Sequence, residues 1–402
     1  MKKGLIIILL FIVVASTMSG CWSRREVSEL AIAVALGIDK LKNGEYKVSV
    51  QIINPSETAA AEKGGGGGYD TPVTTFTSSG KILFEALRKM STLAPRKVYV
   101  AHLRMIVIGE EMAKEGIYDV LDFLSRDHEM RTDFYIIVSK DHSAEETVKI
   151  LTSIEKIPAN KLFYSLEHSA ETWAATGKLT LTDLMDSILS EGEQPALTGI
   201  SLLGDPQKGV TKSNVETTTP KSRHKYEGIA AFRKNKLVGW LNADESKGYN
   251  YLRNNVVSTV LVIKMNDDHV GIELNEIKTE IVPKINNEDI SFEVKVSGEA
   301  SVGEVNTKLD LMNTNTIGEL ESKVNKQIES VITAAIHKGQ ELETDIFGFG
   351  ERIHKEEPKE WEKIKHEWAS LFPNVPITVT SKIKIRDVGT INDPFHTKLK
   401  EE

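Results

Sequence analysis

Cys21 is the residue whose chemistry stands out, because it is the only cysteine among 402 residues. It directly follows Ser19 and Gly20, where a lipoprotein signal peptidase would leave it as the first residue of the processed chain. A nucleophilic sulfur flanked by small residues can be alkylated by a diacylglyceryl donor before cleavage. We therefore predict Cys21 as the lipid-attachment residue. The alternative interpretation is a free thiol that happens to follow a signal peptide.

The leader before Cys21 has the three parts of a secretory signal. Lys2 and Lys3 form a basic start, an apolar run extends from Leu5 to Val14, and small residues fill most of positions 15–20. This layout predicts a signal peptide over residues 1–20. The apolar run has about half of the ~20 residues that span a hydrocarbon core, so a permanent transmembrane helix is disfavoured.

Lipid on Cys21 would determine where the body of the protein resides. A single acyl chain binds a bilayer only marginally, whereas two chains anchor a protein stably. Arg24 and Arg25 follow and would face anionic headgroups, although Glu26 and Glu29 offset their charge. We expect a body held at the outer face of the cell membrane.

Two histidine motifs begin like a zinc-protease site and then depart from it. The second ligand of such a site lies four residues after the first histidine, on the same helix face. Ser370 occupies that position after His366-Glu367, and Thr132 occupies it after His128-Glu129. These histidines are predicted to be surface or cap residues, and we predict no metal site.

The glycine-containing motifs also lack the residues that bind phosphate. Gly204 and Gly209 have the spacing of a P-loop start, but Val210 stands where lysine is required. Gly348-Phe349-Gly350 lacks the third glycine of a dinucleotide fingerprint, since Ile353 occupies that position. We predict turns at these motifs, no cofactor, no catalytic residue and no enzymatic activity.

Net charge, cysteine content and chain length restrict the possible partners, cross-links and number of domains. The formal net charge is −8, and −10 once Lys2 and Lys3 leave with the signal, so nucleic-acid binding is not expected. With its one cysteine committed to lipid, the chain has no thiol left for a disulfide. About 380 residues remain after cleavage, which is too many for one compact core and predicts two or three domains.

The N-terminal half alternates strand and helix patterns. Asn43-Gly44 between two apolar segments predicts a hairpin, with 46–53 as its second strand. The glycine run 64–68 predicts a loop. Further elements are predicted in chain order: a helix from Ser79, a strand from Val98 to Gly109, a helix from Glu110 to Leu124, a strand from Asp133 to Ser139, a helix capped by Ser143 and Glu146, a helix from Thr180 to Leu189, and a strand from Pro195 to Leu203.

The C-terminal half follows a polar segment, 204–222, at which we place the main boundary. Its strand candidates are 228–232, 237–241, 256–264, 270–277, 290–299 and 377–385, and its helix candidates are 244–252, a long one around 317–335, and one opened by Pro358. Alternation of apolar and polar residues favours an antiparallel sheet with one wet face. Trp361, Trp368, Phe372, Phe347 and Phe349 are interpreted as core aromatics rather than a partner-binding face.

The predicted fold class is therefore α+β. It combines a mixed α/β N-terminal domain with a C-terminal domain built from an antiparallel sheet and helices. The predicted division is a signal peptide at 1–20, an N-terminal domain at 21–205, a linker at 206–225, a C-terminal domain at 226–392 and a tail at 393–402.

A set of short motifs lies in order along nearly the whole mature chain. They are Gly20-Cys21-Trp22 with Arg24-Arg25-Glu26 and Leu30-Ala31, Gly37-Ile38-Asp39-Lys40, Gly228-Ile-Ala-Ala-Phe232 before Leu237-Val-Gly-Trp240, and Asp345-Ile-Phe-Gly-Phe-Gly350 with Trp361, Trp368 and Phe372-Pro373. In this order and spacing the chain resembles the Ger(x)C spore germination lipoproteins, the C subunits of nutrient germinant receptors in endospore-forming bacteria. Ser23 departs from the family pattern, which often has Asp there.

The resemblance implies a non-enzymatic subunit that is needed for nutrient-triggered germination. It implies a lipid anchor on the outer surface of the spore's inner membrane and assembly with integral-membrane receptor subunits. The nutrient itself need not touch this subunit, so direct small-molecule binding is not expected. The resemblance also implies three mixed α/β domains as an alternative to two.

One other class of protein fits a lipid-anchored body. A solute-binding lipoprotein of a transporter would need two similar α/β lobes with a hinge and a cleft, which the C-terminal half does not predict. A cell-wall hydrolase ranks last, because the sequence offers no candidate nucleophile or metal site.

Overall fold

The structure, a computed structural model, describes residues 26–57, 71–265, 268–286, 289–306 and 309–388, together with Gly4 and Ile6. The strands in this part of the chain form two sheets, one of nine strands and one of four. The predicted α+β class is confirmed. The rest of the predicted signal peptide, Cys21, the glycine run 64–68 and the tail 393–402 lie outside the described residues.

The N-terminal half alternates strands and helices, as predicted. Its strands are β1 (Leu30–Lys40), β2 (Tyr46–Ile53), β3 (Val73–Gly80), β4 (Lys97–Tyr99), β5 (Met105–Gly109), β6 (Tyr135–Ser139) and β7 (Ala196–Gly204). Its helices are α1 (Leu83–Lys89), α2 (Glu110–Glu115), α3 (Tyr118–Arg126), α4 (Ala144–Lys149), α5 (Pro158–Thr172) and α6 (Leu181–Leu189).

β1 lies in the middle of the first sheet. It pairs with β2 through the predicted hairpin, where Gly44 adopts a φ of +82° that favours glycine. On its other side β1 runs parallel to β4 and β5, and β6 and β7 continue the parallel order. Because helices cover both faces of such strands, β1 is almost entirely apolar and buried.

The sheet continues beyond the polar segment of the sequence. Residues 206–225 contain α7 (Pro206–Gly209) and the start of β8 (Ser222–Arg233). β8 pairs antiparallel with β7, and β9 (Lys236–Leu241) forms the last strand of the sheet order. The division into domains at 21–205 and 226–392, with a linker between them, stays a prediction.

β8 contributes side chains to two cores. Ala230 and Phe232 belong to the core of the N-terminal half, whereas Ile229 and Ala231 belong to the core of the C-terminal half. Alternate residues of a strand point to opposite faces, so one strand can serve both cores. The two halves are therefore packed together through β8.

The C-terminal half is built around the second sheet. Its elements are α8 (Ala243–Leu252), β10 (Ser258–Met265), β11 (Asp268–Asn286), β12 (Asp289–Val305), α9 (Thr314–Glu341), α10 (Phe349–Glu356), α11 (Pro358–Ile364), α12 (Trp368–Leu371) and β13 (Ile377–Asp387). β10, β11 and β12 are antiparallel, as predicted, whereas β13 runs parallel to β12. α9 buries Leu320, Val324 and Ile328 in the core of this half.

Several predicted elements have different bounds in the structure, and β8, β11 and β12 are longer than predicted. The strand predicted from Val98 to Gly109 is divided into β4 and β5, which pair with successive parts of β1. The helix predicted from Glu110 to Leu124 is broken at Gly116, whose φ of +131° ends α2. The helix opened by Pro358 is divided into α11 and α12 by a tight turn. The helix predicted from Ser79 begins only at Leu83, because β3 extends to Gly80.

Candidate functional site

Cys21, for which the sequence predicts lipid attachment, lies outside the described residues, as do Arg24 and Arg25. Glu26 opens the continuous described chain, and a short 3-10 turn over Val27–Glu29 leads directly into β1. The predicted lipid-attachment position is thus close in sequence to a central strand. Across the part of the chain that the structure describes, no helix has the length and apolar character needed to cross a membrane.

A buried carboxylate organises the family-like motif Asp345–Gly350. Asp345 is only 4% exposed, and its Oδ1 accepts hydrogen bonds from the backbone N–H groups of Phe347, Gly348 and Phe349 at 2.9 to 3.2 Å. Its Oδ2 accepts from the backbone N–H of Gly350 at 2.8 Å and from Trp368 Nε1 at 3.0 Å. Successive backbone N–H groups form an anion-binding nest, and this nest holds the chain's own carboxylate.

The environment of Asp345 acts on its protonation in two directions. Burial raises the pKa of the carboxyl, the hydrogen bonds from the turn and from Trp368 lower it, and the net result is a pKa of about 6. At neutral pH the group remains mostly ionised and accepts all its donors. Gly348 and Gly350, where the sequence predicts a turn, therefore supply two of the four backbone N–H groups that Asp345 accepts.

The same turn joins the two halves of the molecule. The backbone N–H of Glu351 donates to Gly192 O at 2.9 Å, and the N–H of Gln194 donates to Asp345 O at 2.8 Å. A Cβ on Gly350 would lie 2.9 Å from Gly192 Cα, so no side chain fits there. Asp345 thus stabilises a contact between the segment before β7 and the start of α10.

A second buried carboxylate, Asp39 of β1, binds the N-terminal end of α4, which is distant in sequence. It lies near the end of β1 and accepts hydrogen bonds from the N–H groups of Ala144 at 2.7 Å and Glu145 at 2.9 Å. These groups open α4, whose predicted capping box of Ser143 and Glu146 is confirmed. Burial raises the pKa of Asp39, against these hydrogen bonds. The motif Gly37-Ile38-Asp39-Lys40 therefore has a structural role.

His224, which belongs to no recognisable sequence motif, is a third buried titratable group. Its Nε2 lies 2.8 Å from Thr147 O, so this nitrogen carries the proton and donates it. Its Nδ1 has no hydrogen-bond partner within the described structure. Burial, together with the charge of Lys161, lowers the pKa of His224 to about 3.

We expect His224 to make the fold sensitive to acid. An unfolded chain protonates this imidazole near pH 6.5, whereas the folded chain does so only near pH 3. The stability that it contributes is thus present above about pH 6.5 and is lost as the pH falls, by about 1.4 kcal/mol per pH unit. His224→Gln keeps an N–H donor for Thr147 but does not titrate, so its unfolding free energy in urea should fall less steeply between pH 7 and pH 4. Parallel pH dependences of wild type and variant would contradict this.

The histidines of the two zinc-like motifs do not come together with other ligands. His128 and His366 are both exposed. Among the described residues, no three side chains of His, Cys, Asp or Glu lie where they could hold a metal ion. Gly204, the first residue of the P-loop-like spacing, has a φ of +95° at the end of β7.

The fold and these sites define a two-sheet α+β protein whose buried carboxylates fix turns and helix ends. Residues 23–202 match the family described as "Spore germination protein N-terminal domain", and residues 227–389 match "Spore germination B3/ GerAC like, C-terminal". The chain belongs to this family, the Ger(x)C family of spore germination proteins.

Individual relatives match the chain over most or all of its length. It is 34% identical to spore germination protein KC of Bacillus subtilis (strain 168), with 100% of both chains covered. It is 25% identical to spore germination protein B3 of the same organism, covering 92% of this chain and 95% of the relative. The crystal structure of the GerBC protein has a similar fold, with a TM-score of 0.53 at 20% identity over 87% of this chain and 96% of that chain.

Proposed function

We propose that this protein is a lipid-anchored subunit of a spore germinant receptor and is needed for nutrient-triggered germination. It acts by assembling with integral-membrane receptor subunits, and it is held by a diacylglycerol on Cys21 to the outer face of the cell membrane, which in spores is the inner membrane. The observation that carries the proposal is the match to spore germination protein KC over the whole length of both chains. That match includes the segment in which Cys21 directly follows a secretory leader.

The architecture gives no support to the solute-binding alternative. Two similar lobes would be expected, but the first sheet is a mixed one of nine strands and the second has four. A groove of about 700 Å³ does lie between the halves, lined by residues of α6, α8 and α10. Arg253 Nη1 contacts Glu193 Oε2 across it at 2.7 Å, and Ser190 Oγ donates to Glu351 Oε2 at 3.1 Å. These contacts hold the two sides of the groove together. Closure about a hinge would instead require the two sides to move relative to each other.

The proposal is tested by deleting the gene in a spore former that lacks paralogous receptors. We expect the spores to lose their response to at least one class of nutrient, because an incomplete receptor cannot signal. They should still germinate with dodecylamine or calcium dipicolinate, which act without the receptor. The gene supplied in trans should restore the nutrient response, and the loss of optical density during germination measures it.

Two outcomes would contradict the proposal. Nutrient germination at the wild-type rate would show that the protein is not a needed receptor subunit. Loss of the dodecylamine response as well would indicate a general defect of the spore rather than of a receptor.

A further inference from the structure

The distance between the lipid and the folded body is limited by the chain itself. This step rests on the proposed function, since it takes Cys21 as the lipid-bearing residue. Glu26 follows Cys21 by five positions, and five extended residues span at most about 18 Å. A compact chain of about 380 residues has a radius of gyration of about 21 Å, so the body is wider than its tether is long. The side of the body on which β1 begins must therefore face the membrane.

Sheet pairing identifies the residues on that side. Leu30, at the start of β1, lies beside Lys97 at the start of β4, and Ile52, near the end of β2, lies beside Ala33. We call this end of the first sheet, with residues 54–57 and 93–96, the anchor pole. The hairpin turn after Lys40 lies at the opposite end, about 33 Å away along ten residues of strand.

The surface of the anchor pole combines exposed apolar side chains with a cation. Leu93 is 52% exposed, and a groove of about 470 Å³ beside it is lined by Leu30, Ile53, Phe76, Pro95 and Arg96 among others. Arg96 is exposed and forms no ion pair within the described residues, whereas the neighbouring Lys97 is paired with Glu129. An exposed apolar side chain beside an exposed arginine suits the boundary between lipid headgroups and acyl chains.

A second exposed apolar residue, Ile154, lies in the loop that connects α4 to α5, and both of these helices contact Gln51 of β2. The N–H of Ala144 contacts Asp39 near the far end of β1, while Val148 O accepts from Gln51 Nε2 at 2.6 Å. Gln51 is paired with Ala35, so α4 runs from the far end of β1 toward the anchor pole. Ile154 follows six residues later and is 95% exposed.

We propose that the anchor pole is a membrane-contact surface for an anionic phospholipid bilayer. Leu93 and Ile154 enter the headgroup region, and Arg96 binds lipid phosphate. The lipid on Cys21 supplies the attachment, and these side chains set the orientation of the body, with the hairpin end directed away from the bilayer.

The chain offers a direct test, because Cys21 is its only cysteine and its sulfur is blocked once it carries lipid. Leu93→Cys and Ile154→Cys then each present a single free thiol for an environment-sensitive nitrobenzoxadiazole probe. Lys42→Cys, in the hairpin turn, and Val262→Cys, 60% exposed on β10, are matched controls. The lipidated full-length proteins are reconstituted into phosphatidylglycerol and phosphatidylethanolamine vesicles that contain bromine-labelled acyl chains.

We expect blue-shifted emission and several-fold stronger quenching for probes at positions 93 and 154 than for those at 42 and 262. Arg96→Gln should reduce quenching at position 93 in these anionic vesicles, and Arg96→Lys should largely restore it. In neutral phosphatidylcholine vesicles the Arg96 substitutions should have little effect.

Three outcomes would overturn the proposal. Stronger quenching at position 42 or 262 would show that another side of the body contacts the bilayer. If a vesicle-bound protein showed no quenching at any position, the body would not contact the bilayer at all. Equal effects of Arg96→Gln in neutral and anionic vesicles would show that Arg96 does not act by binding anionic lipid. Vesicle flotation and mass spectrometry test separately whether Cys21 carries lipid. A chain without lipid would not float with the vesicles, and that result would overturn the proposed function as well.

Discussion

Asp345→Ala should destabilise the protein by about 3 to 5 kcal/mol, a large share of the stability of an ordinary domain. The substitution removes the acceptor of four backbone N–H groups and of Trp368 Nε1, all of them buried. A buried donor left without an acceptor costs about 1 to 3 kcal/mol, and partial relaxation of the turn recovers some of the sum. Urea unfolding followed by tryptophan fluorescence measures the change, with Trp368 as a local reporter.

Two companion variants separate the hydrogen bonds from the charge. Asp345→Asn keeps one acceptor oxygen but places an NH₂ group against donors, so it should be destabilised nearly as much as the alanine variant. Asp122→Ala removes a carboxylate that is 60% exposed and paired with Arg126, and such a pair contributes at most about 1 kcal/mol. If Asp345→Ala and Asp122→Ala had equal stabilities, the nest would have no special energetic role.

The contacts of Asp345 differ in how far they could be predicted from the sequence. The sequence identifies Asp345 only as part of a family-like motif, and it predicts a turn at Gly348 and Gly350. The donors within the turn are local, but Trp368 comes from a different helix and Gly192 from the other half of the chain. Contacts of this range depend on the packing of the two halves, which no local pattern encodes.

Elements with a strong local signal were predicted well. The hairpin at Asn43-Gly44, the capping box at Ser143 and the stripe of α9 each depend on residues within a few turns of chain, and the structure confirms all three. The group of five C-terminal aromatics is buried, as the core interpretation required.

The sequence did not predict β3 or α5, because the local signal of both elements is weak. β3 is rich in Thr and Ser and mostly half-buried, so its strand form depends on pairing with β2. α5 buries a narrow stripe of Ala159, Leu162, Leu166 and Ala170, with polar residues between them. In both elements tertiary contacts, rather than intrinsic propensity, determine the structure.

The polar segment 204–222 has the composition of a linker, yet part of it pairs with a strand and is buried. Its lack of apolar residues predicted a boundary, and the two family matches end at 202 and resume at 227. β8 nevertheless begins within it and pairs with β7, and Asn214 in the same segment donates to Leu151 O at 2.9 Å. A polar sequence can be buried when backbone groups satisfy its side chains.

If Cys21 carries lipid, as we propose, removing that lipid should release the protein from the membrane and abolish its proposed part in nutrient germination. Each buried methylene of an acyl chain contributes about 0.8 kcal/mol to membrane binding, so loss of two chains leaves the surface contacts of the body alone. The processed chain without Lys2 and Lys3 carries a formal charge of −10, which opposes binding to anionic lipid. Membrane fractionation in a strain without the partner subunits measures the release.

The choice of variant matters, because Cys21→Ala also blocks lipoprotein processing and would retain the apolar leader. A second variant therefore replaces residues 1–21 with a signal peptide that the general signal peptidase cleaves. We expect this second variant to be exported and to move from the membrane fraction to the soluble fraction. Its continued membrane attachment in the strain without partners would contradict the lipid assignment.

A third variant distinguishes tethering from a more specific role of the lipid. It carries a single transmembrane helix in place of residues 1–21, joined so that five residues still precede Glu26. If the lipid acts only as a short tether, this variant should return to the membrane and restore the nutrient response. Lengthening the joint by twenty flexible residues should then weaken the response, because a longer chain no longer keeps the start of β1 near the bilayer. Equal responses with both joints would show that the receptor does not need the body held in that position.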